Sequence, residues 1–135
     1  MSNTSIFVAV AGAGLLTTCF AAEPELSDAA QAGQRTYAYY CQDCHGSEGT
    51  GKGPIAVVLK VKPANLTTLA KKNRGEFPLE RVVRSIDGRQ RTVAHGTKMP
   101  IWGLEFQDRS SDANQEEDVR RRIEQLVEYL RTLQR

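Results

Sequence analysis

Cysteine is scarce in this chain, and where it falls excludes more than its number does. Cys19 lies in an apolar leader, so residues 23–135 keep only Cys41 and Cys44. Two cysteines three positions apart cannot supply the framework of bridges that staples a small exported domain. Aromatic side chains make up 7% of the residues and mean hydropathy is −0.44, so most of the chain reads as soluble, with few large apolar groups for a core. Neither sign of charge dominates. The 18 Lys and Arg face 16 Asp and Glu, which excludes the whole protein as a polyanion binder and gives no nucleic-acid signal. Internal repeats are absent. No acid–base pair or activated nucleophile stands out, which leaves hydrolytic and transferase chemistry without a candidate. A length of 135 residues allows one domain and not two.

Charge is missing altogether from Met1 to Ala22, and Ile6 to Leu16 is an unbroken run of apolar and small residues. That run is short for a membrane span, which needs roughly 20 residues. It suits the apolar region of a secretory signal peptide, with Ala21 and Ala22 as small residues before the first charge at Glu23. The division is therefore a cleaved signal over residues 1–22 and a domain over residues 23–135. One departure is that Met1 to Ser5 carries no Lys or Arg. The alternatives are an uncleaved N-terminal membrane anchor and lipidation of Cys19.

Within residues 23–135, Ser27 is a candidate N-cap and Asp28 favours a helix N-terminus. Residues 29–40 are good helix formers broken only by Gly33. Residues 46–53, GSEGTGKG, have four glycines in eight and form a loop that ends at Pro54. Residues 55–61 are apolar and β-branched between Pro54 and Pro63; periodicity leaves a short helix and an extended turn both open. Leu79, Val82, Val83 and Ile86 define one face of a helix over residues 78–86, which Gly88 ends. An irregular stretch over residues 89–108 contains His95, Met99, Pro100 and Trp102. The last helix, over residues 115–133, aligns Val119, Ile123, Leu126, Val127, Leu130 and Leu133. Its acids lead and its arginines trail, as the helix dipole favours. The architecture is all-α with long loops, and loops of that length need something to organise them.

Cys41-Gln42-Asp43-Cys44-His45 supplies the candidate. A CxxCH sequence reads as c-type haem attachment. Two thiols three positions apart on a helical turn can each add to one vinyl group, and the adjacent imidazole then meets the iron. The porphyrin is also the hydrophobic body that a chain this poor in large apolar residues needs. A thioredoxin-type CxxC would want a βαβ context, which is not visible. A structural zinc site would have to combine Cys41, Cys44, His45 and His95, and the adjacent Cys44 and His45 rarely both reach one tetrahedral ion. Once the leader is removed, Met99 is the only methionine and His95 the only histidine besides His45. The second axial ligand is then one of these two, or a water or weaker group. Pro100 biases Met99 to extended backbone in a stiff loop poor in donors, which favours its thioether as the ligand. The bland alternative for a lone methionine is core filler. His95 reads as a loop residue. His/Met ligation raises the potential relative to bis-His.

At these residues the chain resembles the class I c-type cytochromes over about residues 29–133. Gly33 and Tyr37 in the first helix, with Leu126 and Tyr129 in the last, match the pattern by which that family's N- and C-terminal helices cross. Met99-Pro100-Ile101-Trp102-Gly103 is similar to its Met-Pro-x-Trp-Gly distal-loop variant, and Pro63-Ala64-Asn65-Leu66 more weakly resembles a family loop. The resemblance implies a cytochrome c fold with long loops wrapped around one haem. It implies that the Pro54 carbonyl accepts the hydrogen bond of the proximal His45, and that Trp102 packs beside the haem or its propionates.

The expected function is single-electron transfer in the periplasm, not enzyme catalysis, because a six-coordinate haem has no open position for a substrate. Lys52 to Lys98 holds eleven Lys and Arg against three acids, which would steer docking to an acidic redox partner if they gather at the haem edge. A cytochrome subunit bound stably to a periplasmic dehydrogenase is the first alternative. A haem sensor or peroxidatic protein with a labile Met99 is the second.

Overall fold

A computed structural model describes residues 25–90, 99–107 and 114–135. The leader over residues 1–22 and His95 therefore lie outside the described residues. Five α-helices follow in order: α1 (Asp28–Tyr40), α2 (Gln42–His45), α3 (Leu79–Asp87), α4 (Trp102–Glu105) and α5 (Gln115–Thr132). Single 3-10 turns occupy Pro54–Val57, Leu66–Thr68 and Lys71–Asn73. No strand occurs among the described residues, so the expected all-α class holds. No helix among them is long and apolar enough to cross a membrane.

The first helix starts where its cap residue demands. The Ser27 side chain accepts from the Ala30 N–H at 3.2 Å, satisfying a donor that the helix itself cannot. α3 ends at Gly88, whose φ of 70° is left-handed and whose N–H returns to the Arg84 carbonyl. The apolar, β-branched segment after Pro54 resolves as a 3-10 turn, which leaves Val57 and Val58 more than three-quarters exposed. α4 falls inside the stretch read as irregular. At four residues it is too short to carry a periodic signal.

The core is where α1 and α5 cross. Val119, Ile123, Leu126, Val127 and Leu130 of the expected stripe are buried, and Tyr129 joins them. Full burial of each aliphatic side chain contributes about 1.5–3 kcal/mol. A Cβ added at Gly33 would lie 1.9 Å from the Gln125 carbonyl oxygen and 3.0 Å from the Leu126 Cα, so the two backbones touch at this residue. One turn on, the rings of Tyr37 and Tyr129 pack with centroids 5.3 Å apart at 56°. Both halves of the crossing implied by the resemblance are present. α3 lays Val82 and Ile86 against this pair, with Val83 half-buried. Leu79 departs from the expected face: as first residue of the helix it overhangs the packed surface and is 43% exposed.

Gly33→Ala is expected to lower the unfolding free energy of the protein by about 1–3 kcal/mol, because overpacking against backbone outweighs the better helix propensity of alanine. Denaturant titration measures it, and an unchanged or raised midpoint would refute the close approach.

Candidate functional site

The CxxCH segment begins where α1 ends. Cys41 caps the helix through its N–H to the Tyr37 carbonyl, then starts a new turn by accepting from the N–H groups of Cys44 (3.2 Å) and His45 (2.9 Å). This turn is α2, and Gly46 stops it with φ at 82°. Gly49 and Gly51 also have positive φ, of 73° and 82°, so the glycine-rich loop can double back on the turn it follows. Its Gly51 and Gly53 N–H groups donate to the carbonyls of His45 (2.7 Å) and Cys44 (3.1 Å), and the buried Tyr37 hydroxyl donates to the Gly46 carbonyl at 2.6 Å. The loop is thereby tied to both cysteine-bearing turns.

Cys41 and His45, four residues apart, face one cavity whose non-atom space, counted out to its mouth, is about 700 Å³. Its lining is predominantly apolar, the character of a cofactor site. Tyr37 and Ala64, Leu66 and Leu69 of the central loops, Val82 and Ile86 of α3, and Leu126 and Leu130 of α5 complete the apolar wall. Met99 lines the same cavity, so the two candidate axial ligands meet in one space although 54 positions separate them in sequence. Cys44 is half-buried and stands outside the lining. Both thiols are free. Burial pushes the Cys41 thiol up to about 12, with the neighbouring Cys44 adding to the effect.

His45 is turned by a carbonyl. Its Nδ1 lies 3.0 Å from the Ala64 oxygen, which can only accept, so Nδ1 carries the proton and Nε2 keeps its lone pair. Burial lowers the imidazole pKa, opposed by that hydrogen bond, so the neutral form is favoured. The resemblance implied Pro54 as the acceptor; the acceptor is Ala64, in the loop that carried the weaker likeness. Pro54 instead opens an exposed 3-10 turn. The Ala64 loop is held by its neighbours. Asn65 Oδ1 accepts from Thr67 N at 2.9 Å, and the Gln134 side chain bridges Leu66 O (2.8 Å) and Ala70 N (3.0 Å) to the end of α5.

Trp102 is buried but does not line the cavity. It stacks on Phe106 (centroids 5.6 Å apart, 24°) and meets the edge of Tyr40 at 5.4 Å, forming an aromatic backing behind the Met99 segment. Its Nε1 has no hydrogen-bond partner among the described residues. Two polar residues of the lining escape a reading by motif: Arg81 and Ser85, four apart on α3. They flank the Val82 and Ile86 positions, so the turn of the helix that buries the valine also brings Arg81 to the cavity. Arg81 is the one formally cationic lining residue among those described.

A turn that presents two thiols and a proton-directed imidazole, a thioether on the same apolar cavity and one arginine on its wall together suit a tethered porphyrin with acidic side chains. The fold and this site define a c-type cytochrome. The family model described as cytochrome C oxidase, cbb3-type, subunit III matches residues 28–113, and the chain belongs to that family. No curated protein and no solved structure matches the chain. Membership brings covalently bound haem c with its iron, and a haem-based role in electron transfer.

Arg81→Gln is expected to lower the reduction potential of the haem-loaded protein by tens of millivolts, since a cation beside the porphyrin carboxylates disfavours the more positive ferric state. That size follows from a unit charge acting across roughly a nanometre at an effective dielectric of about 20. Potentiometric titration reads it, and Arg81→Lys should retain most of the native value. Equal potentials in all three proteins would remove Arg81 from the site.

Proposed function

We propose that this protein is an exported single-electron carrier with one haem c in His/Met ligation, working in the periplasm after removal of residues 1–22, with residues 23–135 as the functional domain. Cys41 and Cys44 would hold the haem through two thioether bonds, each made by addition of the whole thiol across one vinyl group, and His45 Nε2 and the Met99 sulfur would hold its iron. The observation that carries the reading is that His45 and Met99 line one apolar cavity, with the His45 Nδ1 proton committed to Ala64. The bound haem supplies a one-electron iron couple.

The remaining work belongs to the chain. The Ala64 carbonyl fixes the imidazole plane and raises its basicity. Leu66, Leu69, Ile86, Leu126 and Leu130 exclude water, which lowers the local dielectric and limits the reorganisation that accompanies each electron. Met99-Pro100-Ile101-Trp102-Gly103 acts as the distal loop, with Trp102 as its aromatic backing. With both axial positions taken, no site remains for a substrate, and the protein is not an enzyme. Lys and Arg between Lys52 and Lys98 steer docking to an acidic redox partner; electron transfer to such a partner should slow steeply with rising salt, whereas an unchanged rate would exclude the steering.

A subunit bound stably within a larger redox complex is the second reading. It is favoured by the exposed apolar side chains of Tyr39, Val57, Val58 and Val61. Co-purification with a large partner would select it over the free carrier.

Visible spectra of the matured protein beside Met99→Ala and His95→Ala test the ligation. Loss of the weak ferric iron–sulfur band in the first variant alone is the expected result. Loss in neither variant, or a pigment that acid–acetone strips from the polypeptide, would overturn it.

A further inference from the structure

Among the described residues, the segment that carries Met99 is anchored in the core by the buried Trp102 and Phe106. α4 has only four residues, and Leu104 and Ile101 are substantially exposed. The segment also rests on the end of α3. A Cβ added at Gly103 would lie 2.4 Å from Asp87 Oδ1 and 2.6 Å from Arg89 Nε, and one added at Gly88 would lie 3.3 Å from the Ile101 Cα. Residues 101–103 therefore sit directly on residues 87–89, with Gly103 flat against an ion pair.

That ion pair is built as a fork. Arg89 Nε and Nη2 donate to the two oxygens of Asp87 at 2.8 Å each, and the Arg89 backbone N–H reaches Oδ1 at 3.1 Å. The other edge of the guanidinium donates to both oxygens of Glu116, Nη1 at 2.6 Å and Nη2 at 2.9 Å. One planar group thus joins the end of α3, the floor under the Met99 segment and the first turn of α5. The Asp87 and Arg89 side chains are about three-quarters buried. Ion pairs in that setting add little net stability, because desolvation offsets their attraction, but their geometry is narrowly defined. Hydrogen bonding to Arg89 holds the Asp87 carboxyl below its ordinary range.

We propose that the Asp87–Arg89–Glu116 cluster is a positioning device for the axial thioether: by fixing the surface on which Gly103 lies, it holds Met99 toward the iron. The three residues touch neither ligand. They act through residues 101–103, and what they set is how readily the Met99 sulfur leaves. The proposal rests on Met99 as the axial ligand.

The test is imidazole titration of the ferric, haem-loaded protein, following loss of the iron–sulfur band as imidazole displaces the thioether. Arg89→Gln and Asp87→Asn should reach half-displacement at roughly tenfold lower imidazole or less, since the segment opens locally at smaller cost. Arg89→Lys keeps the charge but loses the fork, and should fall between them and the native protein. Val127→Ala, which empties core volume away from the cavity, serves as the stability control and should leave half-displacement unchanged. If Arg89→Gln fails to fold, Glu116→Gln removes the exposed partner alone and is expected to shift half-displacement in the same direction. Native half-displacement in the folded cluster variants overturns the proposal, as does an equal shift in Val127→Ala. A band that persists in Met99→Ala overturns the ligand assignment, and the proposal with it; a band lost there but equally resistant in the cluster variants overturns the positioning alone.

Discussion

Backbone contact between α1 and α5 at Gly33 is the constraint on which the site depends. α1 leads directly into the Cys41 turn, so whatever fixes α1 fixes the cysteines and His45. α5 carries Leu126 and Leu130 into the cavity wall and, through Gln134, holds the loop that supplies Leu66 and the Ala64 carbonyl. A side chain at position 33 would separate the helices by the width of a methyl group and shift both walls at once, because packed interiors transmit displacement and do not absorb it. Glycine at the contact trades helix propensity for that proximity.

The two axial candidates are held by different physics. His45 sits on a one-turn helix with a glycine-rich loop folded back on its carbonyls, and its ring is turned by a hydrogen bond to Ala64, 19 residues on. Met99 is followed three positions on by the four-residue α4. Its support comes from an aromatic backing of Tyr40, Trp102 and Phe106 and from the charged floor at Asp87 and Arg89.

The wall between them sets the electrostatics. Apolar residues surround most of the cavity, and one arginine on α3 faces it. Arg81 is itself exposed to solvent, so its charge acts on the cavity partly screened. Ser85, one turn along the same face, extends the polar strip. Exposed apolar side chains flank the attachment segment on both sides, Tyr39 just before it and Val57 and Val58 after the glycine-rich loop.

The sequence by itself determined whatever is local. CxxCH is a contiguous motif whose chemistry follows from spacing, Ser27 and Gly88 act on the ends of their own helices, and the apolar stripe of α5 is a periodic pattern within one helix. The three longer helices, α1, α3 and α5, were legible for that reason, and the four-residue α4 was not. Tertiary structure alone decided the rest. Ala64, 19 residues from His45, took the role expected of Pro54, because a loop carbonyl is chosen by where the chain returns. Arg81 faces the cavity because α3 is rotated to bury Val82 and Ile86. Glu116 meets Arg89 across 27 residues only because α5 packs beside the end of α3. Spacing encodes contacts made along one helix; contacts between elements depend on how those elements are docked, and no local pattern records that.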